Sequence, residues 1–309
     1  MKPSILAVCL LALICGAPPR AEALILWNQD NSANRSDPGG GLPWDSVGRV
    51  AGTDLSLTSS TGSAIYLGNG FMLTANHVTL TTSQRVTFDG TTSFAVDMTF
   101  NGGNGSKQVA AGVDLKVFKL QSNPTVSAVS LDSSGGYIQD ATLVGYGVGR
   151  GATAIGTSPV AWGARDTVAK RWGINVPLEL GTISYDSYTY TALLSAAGSS
   201  TATPPGVGDN EASISLIDSG SAMFQNISGT WYLVGVGTTV DQQAGGSTTT
   251  FARDSLSGST QGDTNYHVRV ATYRSDILAI IPEPGPAPLA IAGAALLLFL
   301  SISMRRKSP

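Results

Sequence analysis

Short runs of apolar and β-branched residues recur along the middle of the chain, and clusters of glycine, asparagine, aspartate and serine separate them. Runs of this length bounded by turn residues indicate β-strands. We predict strands at residues 63–67, 71–74, 85–88, 115–120, 141–146, 182–190 and 232–236. Short strands at such close spacing favour an all-β sandwich or barrel.

Helical periodicity is confined to one segment after these strands. Apolar side chains recur there at intervals of three or four residues, at Val270, Tyr273, Ile277, Leu278 and Ile281. This spacing predicts one amphipathic helix at about residues 270–281, at the end of the globular part.

The first 23 residues have the pattern of a signal peptide. Lys2 supplies a positive charge, residues 5–14 are apolar, and Ala21-Glu22-Ala23 fits the small-x-small cleavage pattern. The alternative, a membrane anchor, needs an apolar run of about 20 residues, which is longer than this one. We therefore expect removal by signal peptidase, followed by a poorly ordered leader at residues 24–45.

The C-terminal end has the pattern of a second targeting segment. Pro282-Glu283-Pro284 precedes an apolar run at residues 287–304, which is long enough for a short transmembrane helix, and Arg305-Arg306-Lys307 follows. An ordinary tail anchor has a similar pattern. The order of these features over residues 282–309 resembles the PEP-CTERM sorting signal. That resemblance implies recognition by an exosortase-type enzyme, transient anchoring in the inner membrane of a Gram-negative-type bacterium, and delivery to the cell surface or extracellular matrix.

Composition narrows the chemistry available to the chain. Charged residues make up 13% of it and the formal net charge is −3, so no basic surface for nucleic acid is expected. Both cysteines, Cys9 and Cys15, lie in the predicted signal peptide, which leaves the mature chain without disulfides or a cysteine nucleophile. Two separated histidines and no paired carboxylate motif give no ligand set, so we expect no metal and no cofactor.

The chain has two histidines, which limits the choice of a base that works near neutral pH. His77 follows the predicted strand at residues 71–74, where a rigid sheet edge can position a base. A plain turn residue is the alternative at this place. His267 has no companion motif and is expected to be structural or at the surface.

Two further residues could complete a nucleophilic site. Asp114 directly precedes a predicted strand, where aspartates are common turn residues, but a buried carboxylate there could hold an imidazole in one tautomer. Ser219 lies in Asp218-Ser219-Gly220, a common turn sequence, just before an apolar strand. A serine on a tight turn between buried strands can present its hydroxyl to an adjacent base.

The order of His77, Asp114 and Ser219 resembles that of the trypsin-like (chymotrypsin-fold) serine peptidases. Residues 73–77 match the family's Leu-Thr-Ala-Ala-His segment in four of five positions, and Asp218-Ser219-Gly220 matches the centre of Gly-Asp-Ser-Gly-Gly. Val113-Asp114-Leu115 is similar to the family's Asp-Ile-Ala-Leu segment. The resemblance spans about residues 46–281.

The resemblance implies two antiparallel Greek-key β-barrels, at about residues 46–130 and 138–270, with the site in the cleft between them. It also implies an endopeptidase that cleaves protein or peptide substrates through an acyl-enzyme. Ser219 would be the nucleophile, His77 the general base and Asp114 its orienting partner. Backbone N–H groups of Ile217 and Ser219 would form the oxyanion hole.

Ile217 departs from the family pattern, because glycine usually precedes Asp-Ser-Gly there. Glycine tolerates backbone angles that a β-branched residue resists, so Ile217 would strain or flip this peptide. The alternative function is therefore a catalytically weak or inactive protease-like module that binds other molecules at the cell surface. An esterase with the same catalytic residues also remains open.

Further positions are assigned by their spacing from the motifs shared with the family. Ser213, six residues before Ser219, corresponds to the base of the primary specificity pocket, and its neutral side chain does not support a preference for Arg or Lys. Thr238, Thr239 and Val240 would form the edge that pairs with the substrate backbone. Arg49-Val50-Ala51-Gly52 is faintly similar to the activation cleavage site of zymogens, with ordinary strand sequence as the alternative.

Overall fold

The computed structural model describes residues 24–135, 139–198, 207–240, 248–249 and 262–281. The predicted signal peptide and the predicted C-terminal sorting tail lie outside the described residues. Within the described ranges, no helix is both long enough and apolar enough to cross a membrane.

Most of the regular structure is β. The strands are β1 (Ile25–Leu26), β2 (Val47–Ala51), β3 (Gly62–Gly68), β4 (Phe71–Thr74), β5 (Arg85–Thr87), β6 (Ser93–Ala95), β7 (Ser106–Gln108), β8 (Lys116–Lys119), β9 (Ser130–Leu131), β10 (Ala141–Gly147), β11 (Val160–Ala161), β12 (Ala169–Asn175), β13 (Glu179–Tyr185), β14 (Tyr188–Ala196), β15 (Ala212–Ser213), β16 (Ala222–Ile227), β17 (Thr230–Val240), β18 (Thr248–Thr249) and β19 (Thr264–Arg269). The helices are α1 (Phe100–Gly103) and α2 (Val270–Ile280), with 3-10 turns at Trp44–Ser46 and Arg165–Thr167.

The first sheet has the order β6-β5-β2-β3-β4-β8-β7, and its neighbouring strands are antiparallel. The chain after β6 returns to the end of β8, where Val96 bridges Leu120. The backbone N–H of Asp97 donates to the carbonyl of Lys119 over 2.8 Å. These contacts join the chain just after the edge strand β6 to the end of the inner strand β8, so the sheet curves back toward itself.

The second sheet has the order β12-β10-β16-β17-β19-β14-β13, again antiparallel, and the short β9 lies parallel to β17. Two small two-stranded sheets, β1 with β15 and β11 with β18, lie beside it.

One apolar core joins both sheets and the terminal helix. Val47 and Leu73 come from the first sheet, Phe224 and Val268 from the second, and Ile277 from α2, and none of them is exposed. Burial of each such side chain contributes about 1.5–3 kcal/mol. Because the two sheets share this core, loops at their junction are held in fixed relative positions.

The mostly β class is confirmed, and the helix at about residues 270–281 is α2. The two-barrel description stays a prediction. The single strand expected at residues 182–190 is wrong, since β13 and β14 form an antiparallel hairpin there. Its turn contains Asp186 with φ of 50°, a conformation that aspartate tolerates and that suits tight hairpins. Asp186 and Ser187 alone interrupt the alternation of apolar and polar residues, so the sequence gives little sign of this turn.

The description of residues 24–45 as a poorly ordered leader does not fit their first four residues. Leu24, Ile25, Leu26 and Trp27 are all buried. Ile25 pairs with Ser213 between β1 and β15. Four consecutive apolar side chains gain enough by leaving water to order this segment against the second sheet.

Candidate active site

His77 lies in the turn that follows β4, whose four residues are all buried. Its imidazole remains 31% exposed at the surface of the first sheet. Lys116, the first residue of β8, donates from Nζ to the carbonyl of Asn76 over 2.8 Å and to that of Val78 over 2.5 Å. One buried ammonium therefore fixes the backbone on both sides of His77. The sequence carries no sign of these two hydrogen bonds, because the pattern around Lys116 is that of an ordinary strand residue.

Asp114 supplies the second side chain of the site from the loop before β8. Its carboxylate is fully buried, and Oδ2 lies 2.7 Å from Nδ1 of His77. Oδ1 accepts a hydrogen bond from the backbone N–H of His77 over 3.0 Å. β4 and β8 are neighbours in the sheet, so their loops meet. The two contacts favour the tautomer with a proton on Nδ1, which leaves Nε2 as an acceptor.

Ser219 approaches the imidazole from the second sheet. Its Oγ lies 2.7 Å from Nε2 of His77. The carbonyl of Ser219 accepts a hydrogen bond from the backbone N–H of Ser63 in β3 over 2.8 Å, which ties the turn to the first sheet. Gly220 has φ of 85°, and a Cβ there would lie 2.0 Å from the carbonyl oxygen of Ser63. The close approach of the two sheets therefore requires glycine directly after the serine.

The three side chains form one hydrogen-bonded line across the junction of the sheets, from Asp114 through His77 to Ser219. Such a line can transfer the serine proton to Nε2 while the buried carboxylate stabilises the resulting imidazolium. The structure thus brings together the three residues that the sequence motifs single out.

Ile217, two residues before the serine, adopts a left-handed backbone conformation with φ of 75°. This conformation costs a residue with a Cβ roughly 1–2 kcal/mol. The side chain is 6% exposed and packs in an apolar cluster with Tyr146, Val148 and Val168. Burial therefore offsets the backbone strain. The N–H groups of Ile217 and Ser219 donate to no other of the described residues.

Asp218, between these two residues, is fully buried. Its Oδ2 accepts hydrogen bonds from the backbone N–H and the hydroxyl of Ser215, each over 2.8 Å. Its Oδ1 has no hydrogen-bond partner among the described residues. Burial raises the pKa of this carboxyl to about 7, although the bonds from Ser215 and the charge of Arg171 lower it.

Ser213 lies in the interior behind the serine turn. Its hydroxyl donates to Oδ1 of Asn265 over 2.8 Å, and the N–H of Ile214 donates to the same oxygen over 2.8 Å. Asn265 is itself fully buried. Sequence reasoning missed Asn265, because it lies 52 positions away and has no motif of its own.

Thr238, Thr239 and Val240 form the end of β17. β16 begins at Ala222, opposite Val236. Among the described residues, Thr239 and Val240 therefore pair with β19 alone, and Thr238 lies at the register shift just before them. Thr238 is mostly buried, and its carbonyl lies 3.4 Å from Oγ of Ser219. This end of β17 therefore runs directly past the serine, and among the described residues no strand pairs with its other edge at these positions.

His267 is fully buried in β19, so the surface position considered for it is wrong. Burial lowers its pKa to about 3, which keeps the imidazole neutral at physiological pH. Neither ring nitrogen has a hydrogen-bond partner among the described residues. His77 is thus the histidine at the site.

No protein-family model and no curated protein match the sequence. Among solved structures, the HtrA-type protease AlgW with a tripeptide is similar, with 17% identity over 79% of this chain and 64% of that one, at a TM-score of 0.47. AlgW with a decapeptide gives 19% identity over 72% and 52% of the chains, at 0.44. An inactive mutant form of Rv3671c from M. tuberculosis H37Rv gives 13% identity over 81% and 94%, at 0.46.

The chain spans about half to two thirds of the length of these AlgW chains. At such identities and scores the similarities do not define a family for this chain.

Proposed function

We propose that this chain is an exported serine endopeptidase of the trypsin-like kind, with a barrel on each side of the catalytic cleft. Ser219 attacks the scissile carbonyl, His77 accepts its proton and later donates it to the leaving amine, and Asp114 orients His77. The observation that carries this proposal is the line of two 2.7 Å contacts from Asp114 through His77 to Ser219.

The oxyanion of the tetrahedral intermediate is bound by backbone N–H groups of Ile217 and Ser219. Two observations support this assignment. Both groups lack a partner among the described residues, and Ile217 takes a left-handed backbone conformation that most residues avoid. A preorganised donor of this kind contributes about 3–4 kcal/mol to the transition state.

The peptide substrate adds as a further strand to the free edge at Thr238, Thr239 and Val240. Backbone hydrogen bonds of this kind give affinity for any extended peptide, whereas selectivity comes from side-chain pockets. The neutral pair of Ser213 and Asn265 behind the serine turn supplies no negative charge for an arginine or lysine side chain.

Export and delivery follow from the two ends of the chain. Signal peptidase removes residues 1–23, the C-terminal segment anchors the chain in the inner membrane, and an exosortase-type enzyme processes the PEP-CTERM tail. The peptidase then acts on proteins or peptides at the cell surface or in the extracellular matrix of a Gram-negative-type bacterium.

A fluorophosphonate probe tests the proposal on the processed chain, residues 24–309, purified in mild detergent. We expect covalent labelling that is lost in Ser219→Ala. Ser221→Ala is the matched control, because that hydroxyl is buried without a hydrogen-bond partner among the described residues, and it should leave labelling intact. Hydrolysis of a peptide in addition to an ester separates a peptidase from an esterase. A folded chain that does not label would refute the enzyme and favour the binding module.

A further inference from the structure

Asn76 is the one position at which residues 73–77 depart from the family segment Leu-Thr-Ala-Ala-His. Its side chain extends from the first sheet to the second, where Nδ2 donates to the hydroxyl of Tyr188 in β14 over 3.0 Å. An alanine side chain has no polar atom and could not make this bond. The departure from the motif therefore coincides with a contact between the two sheets directly beside His77.

The next residue of β14 contacts the loop that carries Asp114. The backbone N–H of Thr189 donates to the carbonyl of Gly112 over 2.7 Å, and Gly112 lies two positions before Asp114. β14 therefore binds both of the first-sheet loops from which His77 and Asp114 project.

A third residue of the same strand contacts the chain beside Ser219. The hydroxyl of Tyr190 lies 2.6 Å from Oγ1 of Thr238. Thr238 gives its own hydroxyl proton to the carbonyl of Tyr266 over 3.0 Å, so Tyr190 is the donor in this pair, because a hydroxyl has a single proton to donate. The carbonyl of Thr238 lies 3.4 Å from Oγ of Ser219. Three consecutive residues of β14 thus reach the surroundings of all three proposed catalytic residues.

The strand that makes these contacts is itself firmly held. The backbone N–H of Thr191 donates to the hydroxyl of Tyr273 in α2 over 3.0 Å, and residues 192–196 pair with β19. The outer strand of the hairpin, β13, contains no buried residue, so it contributes little to stability through apolar burial. The hairpin therefore offers a fixed strand beside the site and little additional core.

Proton transfer at this site depends on how the two sheets are placed. Nε2 of His77 comes from the first sheet and Oγ of Ser219 from the second, and they lie 2.7 Å apart. A misplacement of about 1 Å can lower the rate about 100-fold. The amide of Ser63 already ties the serine turn to the first sheet. Asn76 and Gly112 supply the corresponding ties from the loops of the first sheet to the second.

We propose that residues 188–190 of β14 are positioning residues, which hold His77 and Asp114 at a fixed distance from Ser219. Tyr188 has the most specific part, because its hydroxyl binds the side chain next to the catalytic base. None of these residues is placed on the reacting atoms, and each acts through a neighbour of a catalytic residue. This inference rests on the proposed peptidase function.

The test uses the processed chain, residues 24–309, and removes the hydroxyl of Tyr188. Tyr188→Phe deletes the acceptor for Asn76 and keeps the ring. We expect kcat for peptide hydrolysis to fall about 10-fold, the scale of one hydrogen bond. KM should stay unchanged, because the proposed substrate edge of β17 is not altered. The rate of fluorophosphonate labelling should fall by the same factor, since labelling needs the same serine and histidine without a bound peptide.

Tyr273→Phe is the matched control. Its hydroxyl is bonded to the same strand, at Thr191, but joins it to α2 and not to a loop of the site. This variant should lower the thermal unfolding transition and leave kcat unchanged. An equal fall in kcat for Tyr273→Phe and Tyr188→Phe would overturn the inference, because general loosening of the hairpin would then explain both.

Asn76→Ala removes the other partner of the bond and provides a second variant. Its kcat should fall to the level of Tyr188→Phe, and the double variant should lose no more than either single one, because both changes remove one interaction. Unchanged kcat in both single variants, or losses that multiply in the double variant, would overturn this inference and leave the peptidase intact. Absence of labelling and hydrolysis in the folded parent chain would overturn the proposed function itself, and this inference with it.

Discussion

Ile217 combines a costly backbone conformation with a buried side chain, and two substitutions separate these opposing terms. Ile217→Ala removes most of the side chain but keeps a Cβ at φ of 75°. Ile217→Gly removes the same contacts and also the Cβ that disfavours this angle. A comparison of the two variants therefore isolates the backbone term.

The magnitudes follow from burial and backbone geometry. The side chain is 6% exposed, and truncation of a buried isoleucine to alanine costs about 2–5 kcal/mol of unfolding free energy. Relief of the left-handed strain returns about 1 kcal/mol in the glycine variant. Both variants should be less stable than the parent, with glycine more stable than alanine by about 1 kcal/mol. At positions with ordinary backbone angles alanine is the more stable of the two by a similar amount.

Urea denaturation of the parent and both variants measures this difference. Val148 offers a matched control, because it is fully buried in the same apolar cluster and is absent from the positive-φ positions of the described chain. There, Val148→Ala should be more stable than Val148→Gly. If alanine at position 217 is as stable as glycine or more so, Ile217 does not have this backbone conformation in solution. The proposed oxyanion hole would then not be preformed.

Three further outcomes follow from contacts at and near the site. Asp114→Asn should lower kcat for peptide hydrolysis about 10⁴-fold with little change in KM, because the amide favours the wrong tautomer of His77; steady-state kinetics would show it. Lys116→Met removes the donor to one part-buried and one buried carbonyl and should lower the unfolding free energy measured with urea by about 2 kcal/mol; an unchanged value would contradict the role of its ammonium. Burial raises the pKa of Glu211 to about 7, so between pH 4.5 and 7 the folded state holds a proton that the unfolded state has lost, and stability should fall as pH rises. Glu211→Gln should flatten that slope in urea titrations at several pH values.

The strands that sequence reasoning located well are those with turn residues at both ends. The prediction at residues 71–74 coincides with β4, because Gly70 precedes it and the chain turns directly after it. The hairpin of β13 and β14 was merged into one strand, since Asp186 and Ser187 alone interrupt the alternation. Two residues are enough for a tight turn but too few for a compositional signal.

The site residues that lie in short sequence motifs could be predicted. Those that reach the site from distant parts of the chain could not. His77 and Ser219 stand in recognisable local segments, whereas Lys116 and Asn265 act through backbone groups remote in the chain. The ordering of Leu24 was hidden because Asn, Asp, Pro and Gly residues dominate the segment that follows it. Contacts of this kind depend on the register of strand pairing, which local sequence does not encode.

The hydrogen bond from the amide of Ser63 to the carbonyl of Ser219 has a consequence for how the molecule opens. It joins the two sheets at the catalytic serine, and the hydroxyl of Ser63 also accepts a bond from the backbone of Tyr146 in the second sheet. Neither sheet can then open locally at Ser63 without also exposing the other sheet to solvent. In native-state hydrogen exchange, the Ser63 amide should exchange only through global unfolding, and its protection would report whether the two halves open together.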